Sequence, residues 1–264
     1  MSYKFFYHDI PTETLYLHGD SRSGIFPFNV EPFSEDFTGR LSWRIMGNTL
    51  LRCASKHAAQ HGFGFIDMQV QHHAWVLSRL VVDLNLMPRT GEAYTVETWV
   101  GRIYRQFTDR FFALTSPFGR TYGFAFSTWA LIDVTSRQPK DLTTLPDGGF
   151  SDALIDKGVP IDGPGRIRLK NAGEPVATHT ACYTDLDVNG HVNSIRYIEL
   201  LLDLFPPEAF QAMRPPRIEV AYCAEAYAGD ELSIFSEALD GGKHLFEIRK
   251  ADGQCVVKAA ILFR

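Results

Sequence analysis

Between Tyr183 and Phe205 the sequence reads YTDLDVNGHVNSIRYIELLLDLF. Asp185, Asp187, Asn189, His191 and Asn193 place polar side chains at every second position, with Gly190 among them. Carboxylates, amides and an imidazole in one short loop can take up, hand over and orient protons. The loop runs into Ile195, Tyr197, Ile198, Leu200, Leu201, Leu202, Leu204 and Phe205, too dense an apolar run for a helix with one wet face. A helix that is apolar nearly all round is a buried helix. Its N-terminus carries free N–H groups and the positive end of the helix dipole, both suited to an oxygen that gains negative charge. The chemistry this suggests is addition to a carbonyl.

A buried helix needs something wrapped around it. A short extended piece from Phe26 leads to a helical pattern over 41–61, with Ile45, Leu50, Leu51, Cys53, Ala54, Ala58 and Ala59 apolar and Gly62 at its end. Strand-like runs rich in β-branched and aromatic residues follow at 74–87, 93–104, 107–115 and 120–135. Residues 136–175 lose that pattern and read as a linker, punctuated by Pro139, Pro146, Gly148, Gly149, Gly158, Pro160 and Pro164 among others. A strand (176–183), the buried helix (192–205) and a strand at 216–225 come next. Strands at 231–239, 243–250 and 254–263 are joined by Asp240-Gly241-Gly242 and Asp252-Gly253, strong hairpin signals. Residues 1–25 are expected to add a strand or form an extension.

The order strand, buried helix, four strands thus occurs twice. Superposing Gly39 on Gly190 (an offset of 151) pairs Asp36 with Asp187, and Gly91 pairs with Gly229 at an offset of 138. The expected architecture is α+β: a curved antiparallel sheet wrapped around a central helix, in two copies whose sheets pair edge to edge and so hide strand edges. The repeat is also an internal control. Opposite Asn189, His191 and Glu225 the first copy has Thr38, Arg40 and Met87, and only the aspartate persists.

Asp187-Val188-Asn189-Gly190-His191-Val192-Asn193, followed by Tyr197, resembles the D-x-N-x-H-V-N active-site signature of plant and bacterial acyl-acyl-carrier-protein thioesterases. The resemblance extends over nearly the whole chain from Phe26 and includes Trp99, Arg110 and Trp129. It implies two tandem hotdog folds: an N-terminal hotdog over 26–140, non-catalytic and binding the acyl chain, a linker over 141–174 and a catalytic hotdog over 175–264. It also implies an acidic residue 34 positions after the histidine, where Glu225 stands. Plant members often have a cysteine directly after that glutamate; Ala226 here excludes a cysteine nucleophile at that position. Cys223 is read as a buried structural thiol.

By the same resemblance Glu225 and Asn189 hold and activate a water, with Glu225 as general base. His191 and Asp187 engage the thioester, and amides near His191 and Val192 face the oxyanion. The alternative makes His191 the base, oriented by Asp187. Asn193 is either a support to the site or a helix cap. The implied reaction is hydrolysis of fatty acyl-acyl carrier protein to free fatty acid. Alternatives are an acyl-CoA thioesterase or hydratase on the same fold, or a non-catalytic acyl-chain sensor. No cofactor or metal is implied. The implied partner is acyl carrier protein bearing a phosphopantetheine-linked chain, and a homodimer is a further expectation. The acyl chain needs an apolar tunnel between helix and sheet, leading into the first copy.

Composition narrows the class. At 264 residues with 45% apolar and 22% charged residues the chain is globular. A net charge of −5 with no basic stripe argues against nucleic acid. Four scattered cysteines, Cys53, Cys182, Cys223 and Cys255, fit reduced and mostly buried thiols in a cytoplasmic protein. No signal-peptide pattern or membrane-length apolar run is present in the sequence. His57, His61, His72 and His73 read as surface histidines. Arg166, Arg168, Lys170, Arg214 and Arg217 form a candidate surface for an acidic carrier.

Overall fold

The computed structural model describes residues 20–144, 150, 152–170, 173–212 and 214–264. In the first half the β-branched and aromatic runs become β1 (Gly24–Asn29), β2 (His73–Leu84), β3 (Ala93–Ile103), β4 (Phe107–Thr115) and β5 (Thr121–Asp133), with α1 (Trp43–Gln60) and α2 (Phe65–Val70) between β1 and β2. The second half repeats the plan with β6 (Ala177–Thr180), α3 (Ser194–Leu202), β7 (Arg217–Tyr222), β8 (Glu231–Leu239), β9 (Lys243–Lys250) and β10 (Cys255–Leu262). All ten strands join one antiparallel sheet in the order β1-β3-β4-β5-β2-β7-β10-β9-β8-β6. The halves meet where β2 pairs with β7, Arg79 opposite Ala221 through Val82 opposite Ile218. The expected double hotdog, paired edge to edge, is the observed fold. Among the described residues only the six-residue β1 and the four-residue β6 remain as sheet edges.

Both long helices lie on the inner face of the sheet. α3 buries Ile195, Tyr197, Ile198, Leu200, Leu201 and Leu202, as its all-round apolarity requires. Ser42 caps α1 and Asn193 caps α3, each side chain accepting from the amide of Ile45 and Ile195 respectively. The helices close on one another at Gly47, where an added Cβ would stand 2.6 Å from Ile195 Cδ1. The short α2 was not expected from the sequence. Asp67 makes it possible by accepting the Gly64 amide at 2.9 Å, at the cost of no long apolar pattern.

The outer face is covered by the stretch that reads as a linker. Ile155, Val159 and Ile161 pack on Val81, Trp99, Phe111 and Phe126, and Ile167 and Leu169 pack on Leu245 and Ala260. Trp99 Nε1 donates to the Lys157 carbonyl at 2.7 Å, and the Gly165 amide donates to Glu219 at 2.9 Å. Prolines and glycines keep this segment out of regular structure, yet an extended chain still turns alternate side chains inward. It is a strap across both halves. Residues 1–19 and Pro146, Gly148 and Gly149 of the linker lie outside the described residues.

Candidate active site

The motif loop is a tight turn built by its first aspartate. The Asp187 amide donates to the His191 carbonyl at 2.8 Å and the Gly190 amide to the Asp187 carbonyl at 3.0 Å. Asp187 Oδ1 accepts the amides of Asn189 (2.8 Å) and His191 (3.2 Å), and Gly190 takes the left-handed φ of +77° the turn demands. Three of these bonds recur in the first copy. Asp36 N–H donates to Arg40 O at 2.8 Å, Gly39 N–H to Asp36 O at 3.0 Å, and Thr38 N–H to Asp36 Oδ1 at 2.8 Å. The Val192 amide bonds Ala226 O at 2.8 Å, as the Leu41 amide bonds Pro88 O at 2.8 Å. The aspartate persists in both copies because the turn needs its carboxylate as an acceptor. Asp187→Asn, which keeps that acceptor, should hold most of the activity, whereas Asp187→Ala should lose about 1 kcal/mol of stability along with turnover. Thermal melts and rates on both variants check this; equal collapse of the two would give the charge itself a role.

The other motif residues converge around Glu225. Glu225 Oε1 lies 3.7 Å from His191 Nδ1, and the Tyr227 hydroxyl donates to Oε2 at 2.9 Å. The His191 and Tyr227 rings meet edge to face, centroids 5.0 Å apart. Oε1 also pairs with the guanidinium of Arg137. Burial pulls the Glu225 carboxyl upward, but hydrogen bonds from Arg137 and Tyr227 and the nearby His191 outweigh it and hold it below the ordinary glutamate range. Glu225 is thus a well-held anion. Arg137 belongs to the N-terminal copy, in the turn after β5 with φ +59°. Nothing in its spacing marks it out. It arrives because β5 ends beside the start of β2, and β2 pairs antiparallel with β7.

From this cluster a cavity of about 940 Å³ runs beneath α1 into the first copy. Leu51, Ala54, Ser55 and Ala58, at helical spacing, give α1 a mostly small-sided wall. Leu77, Trp129 and Thr108, paired in a row across β2, β5 and β4, form the facing wall. Asn189 sits exposed at the rim, and no side-chain partner engages it among the described residues. Tyr197, on the cavity wall, buries a hydroxyl without a partner among the described residues.

Residues 27–144 match the family model described as the acyl-ACP thioesterase N-terminal domain, and residues 173–264 match the C-terminal domain. A solved acyl-ACP thioesterase from Bacteroides thetaiotaomicron is 43% identical, with a TM-score of 0.86 over 92% of this chain and 98% of that one. This chain belongs to the acyl-ACP thioesterase family. The 12:0-ACP thioesterase from Umbellularia californica, 21% identical, shares the fold at a TM-score of 0.80 over 94% of this chain and 98% of that one. The chloroplastic palmitoyl-acyl carrier protein thioesterase of Cuphea hookeriana is 25% identical over 218 residues, 77% of this chain and 52% of its own. The chain spans about half the length of the curated relatives it matches.

The structure corrects several expectations. The amides of His191 and Val192 do not face an oxyanion, since Asp187 Oδ1 and the Ala226 carbonyl take them. Asn193 is the cap of α3, and its own amide bonds Asp185 O at 2.8 Å. The Ser194 amide, at the first helical position and on the cavity wall, takes their place as a candidate donor. Cys223 is an exposed thiol lining the cavity, drawn down by its neighbour Cys255, and not a buried one; Cys182 is exposed too. His57 is fully buried rather than on the surface, because Arg110 and the Arg22 carbonyl bond both ring nitrogens. Arg217 is buried against Asp83 (3.0 Å) and Glu219 (2.9 Å), and Arg214 reaches Asp83 at 3.5 Å, so neither is free for a carrier. Arg166 and Arg168 alternate with Ile167 and Leu169 on the outer face, away from the cavity. Among the described residues no helix is long and apolar enough to cross a membrane.

Proposed function

We propose that this chain hydrolyses the thioester of fatty acyl-acyl carrier protein, releasing free fatty acid and ending chain elongation. The observation that carries this reading is the single cavity that has His191, Glu225 and Asn189 at one end and runs as a mostly apolar tunnel under α1. Each buried CH2 contributes about 0.8 kcal/mol, so such a tunnel anchors an acyl chain and presents its carbonyl to the polar end.

In this reading a water attacks the carbonyl carbon, the C–O bond forms and the carbonyl electron pair moves onto oxygen. The tetrahedral oxyanion then collapses and the C–S bond breaks. Sulfur leaves with the bonding pair and takes up the proton removed from the water. Glu225, held as an anion by Arg137 and Tyr227, is a poor proton acceptor and a good counter-charge. The geometry therefore favours His191 as the base, with Glu225 stabilising the imidazolium and Asn189 holding the water. Asp187 acts by setting the turn. The Ser194 amide and the Tyr197 hydroxyl supply candidate donors to the oxyanion, each such donor being worth about 10²–10³ in rate.

Thiol release from a fatty acyl-carrier protein and from the matching acyl-CoA tests the reading directly. The carrier substrate should be turned over with the higher kcat/KM. Equal rates would make the chain an acyl-CoA hydrolase, and tight binding without release would make it a sensor. A cytoplasmic location and a homodimer belong to the same reading; four free thiols are in keeping with a reducing compartment.

A further inference from the structure

Two of the four thiols meet where the sheet hands the chain on to Glu225. β7 ends at Tyr222, opposite Val257 of β10. The next two amides, of Cys223 and Ala224, both donate to the Val256 carbonyl, at 2.8 and 3.3 Å. Two residues facing one make a bulge, which bends a strand and re-aims the side chains that follow. Past Glu225 the chain is held by the motif loop: the Val192 amide bonds the Ala226 carbonyl at 2.8 Å, and Tyr227 bridges to His191. Glu225 therefore sits on a short span, 223–227, pinned to β10 at one end and to the motif at the other.

Cys255 opens β10, next to the Val256 carbonyl that the bulge shares. Its thiol donates to the Cys223 sulfur. That bond draws the Cys223 thiol down and pushes the Cys255 thiol up, so Cys223 gives up its proton first. Burial and Glu247 oppose the shift at Cys223, while Lys258 and Arg79 add to it. Both cations stand opposite Ala221, two residues before Cys223 on the same strand, and Lys258 pairs with Glu247 at 3.2 Å. Cys223 is exposed and Cys255 half-buried, so a reagent from solvent meets Cys223 first. Hydrolysis as described above uses neither sulfur.

We propose that Cys223 and Cys255 are a redox-active dithiol, a site of exchange with small disulfides, whose closure draws Glu225 away from His191 and slows turnover. The effect on turnover rests on the hydrolase reading above; the exchange site does not. The Cys223 thiolate attacks one sulfur of the small disulfide. A bond to Cys223 forms, the reagent's S–S bond breaks, and one reagent thiolate leaves with the bonding pair. Cys255 then attacks the Cys223 sulfur of this mixed disulfide, its proton passing to the second reagent thiol as that leaves. The two cysteines lose two electrons in all, and the small disulfide gains them to become two thiols. Closing the bridge moves the bulge, and Glu225 lies two residues beyond it. A misplacement of about 1 Å in a catalytic group can cost about 10²-fold in rate.

The test treats the folded protein with oxidised glutathione and reads its mass, its peptide map and its kcat on a carrier-bound thioester. Wild type should lose two hydrogens, with the peptides holding Cys223 and Cys255 joined. Its kcat should fall by about tenfold or more and return with dithiothreitol. Cys255→Ala should match the reduced wild type before treatment and afterwards keep glutathione on Cys223, since nothing is left to expel it. Cys182, exposed beyond the edge strand β6, is the internal control: its glutathione adduct should persist in both proteins. A wild type that carries only glutathione adducts at Cys223 or Cys182, or a bridged protein with undiminished kcat, would overturn the proposal. The peptide map is read on the protein alone. A chain that hydrolyses nothing would sink the hydrolase reading and leave the thiol pair to stand or fall by that map.

Discussion

His191→Ala and Glu225→Gln should each lower kcat on a carrier-bound thioester by about 10²–10⁴-fold. KM should change little, because both substitutions leave the apolar walls from α1, β2 and β5 intact. The two act as one device, His191 Nδ1 standing 3.7 Å from Glu225 Oε1, so the double variant should be little worse than either single one. The pH profile reads the same arrangement from another side. Glu225 must be ionised to serve as counter-charge, and its pKa is held below the ordinary range. The acid limb of kcat/KM that belongs to it should then lie below the usual glutamate value. Arg137→Met removes the guanidinium, raises that pKa and moves the limb to higher pH, so activity is lost sooner on acidification. Near-wild-type turnover by Glu225→Gln would mean that the cluster is not where the chemistry happens.

Asp185→Ala should cost about 3–5 kcal/mol of stability, the usual consequence of removing one partner from a buried ion pair. The Asp185 side chain is fully enclosed and accepts from His179 Nε2, Arg196 Nε and the Cys182 amide, each at 2.7 Å. Its carbonyl receives the Asn193 amide. One residue thus ties β6, the motif turn and the first turn of α3 together. Burial opposes its ionisation, but the hydrogen bonds from Cys182, His179 and Arg196 prevail and hold it well below the ordinary aspartate range. A depressed pKa contributes stability that is present above the unfolded value of about 3.9 and is lost as pH falls through the folded one. Denaturant titrations at a series of pH values should show that acid-dependent loss in the wild type and a flatter slope in Asp185→Asn. A variant within about 1 kcal/mol of wild type would show that the network is replaceable by water.

Much of this was legible in the chain. The paired aspartates, the glycines at 39 and 190 and the two apolar helical runs were enough to place the repeat, and three hydrogen bonds recur in both turns. Asp187 has a further task that its spacing does not reveal: its carboxylate shapes the turn, as Asp36 does in the first copy, and it lines the cavity together with the unshared His191 and Glu225. Arg137 was invisible because it stands where the pattern breaks down, in an isolated turn with no periodic neighbours. The strap over 152–170 reads as a plain connector in the sequence, since burial of alternate residues in an aperiodic, proline-rich chain leaves too short a signal to read. The same limit hid His57. An i, i+4 histidine pair on a helix cannot tell which of its members meets a buried arginine from another strand.

By itself the sequence determined which elements form, that they form twice, and which half carries a full set of proton-handling groups, because periodicity, caps and turns are local properties of the chain. Only the tertiary structure decided which amides remain open at the head of α3, that Arg137 of one copy clamps Glu225 of the other, and that Arg110 is buried against His57 with no carboxylate at ion-pair distance among the described residues. These depend on the pairing of β2 with β7 and on desolvation between distant strands. No short window of residues encodes either.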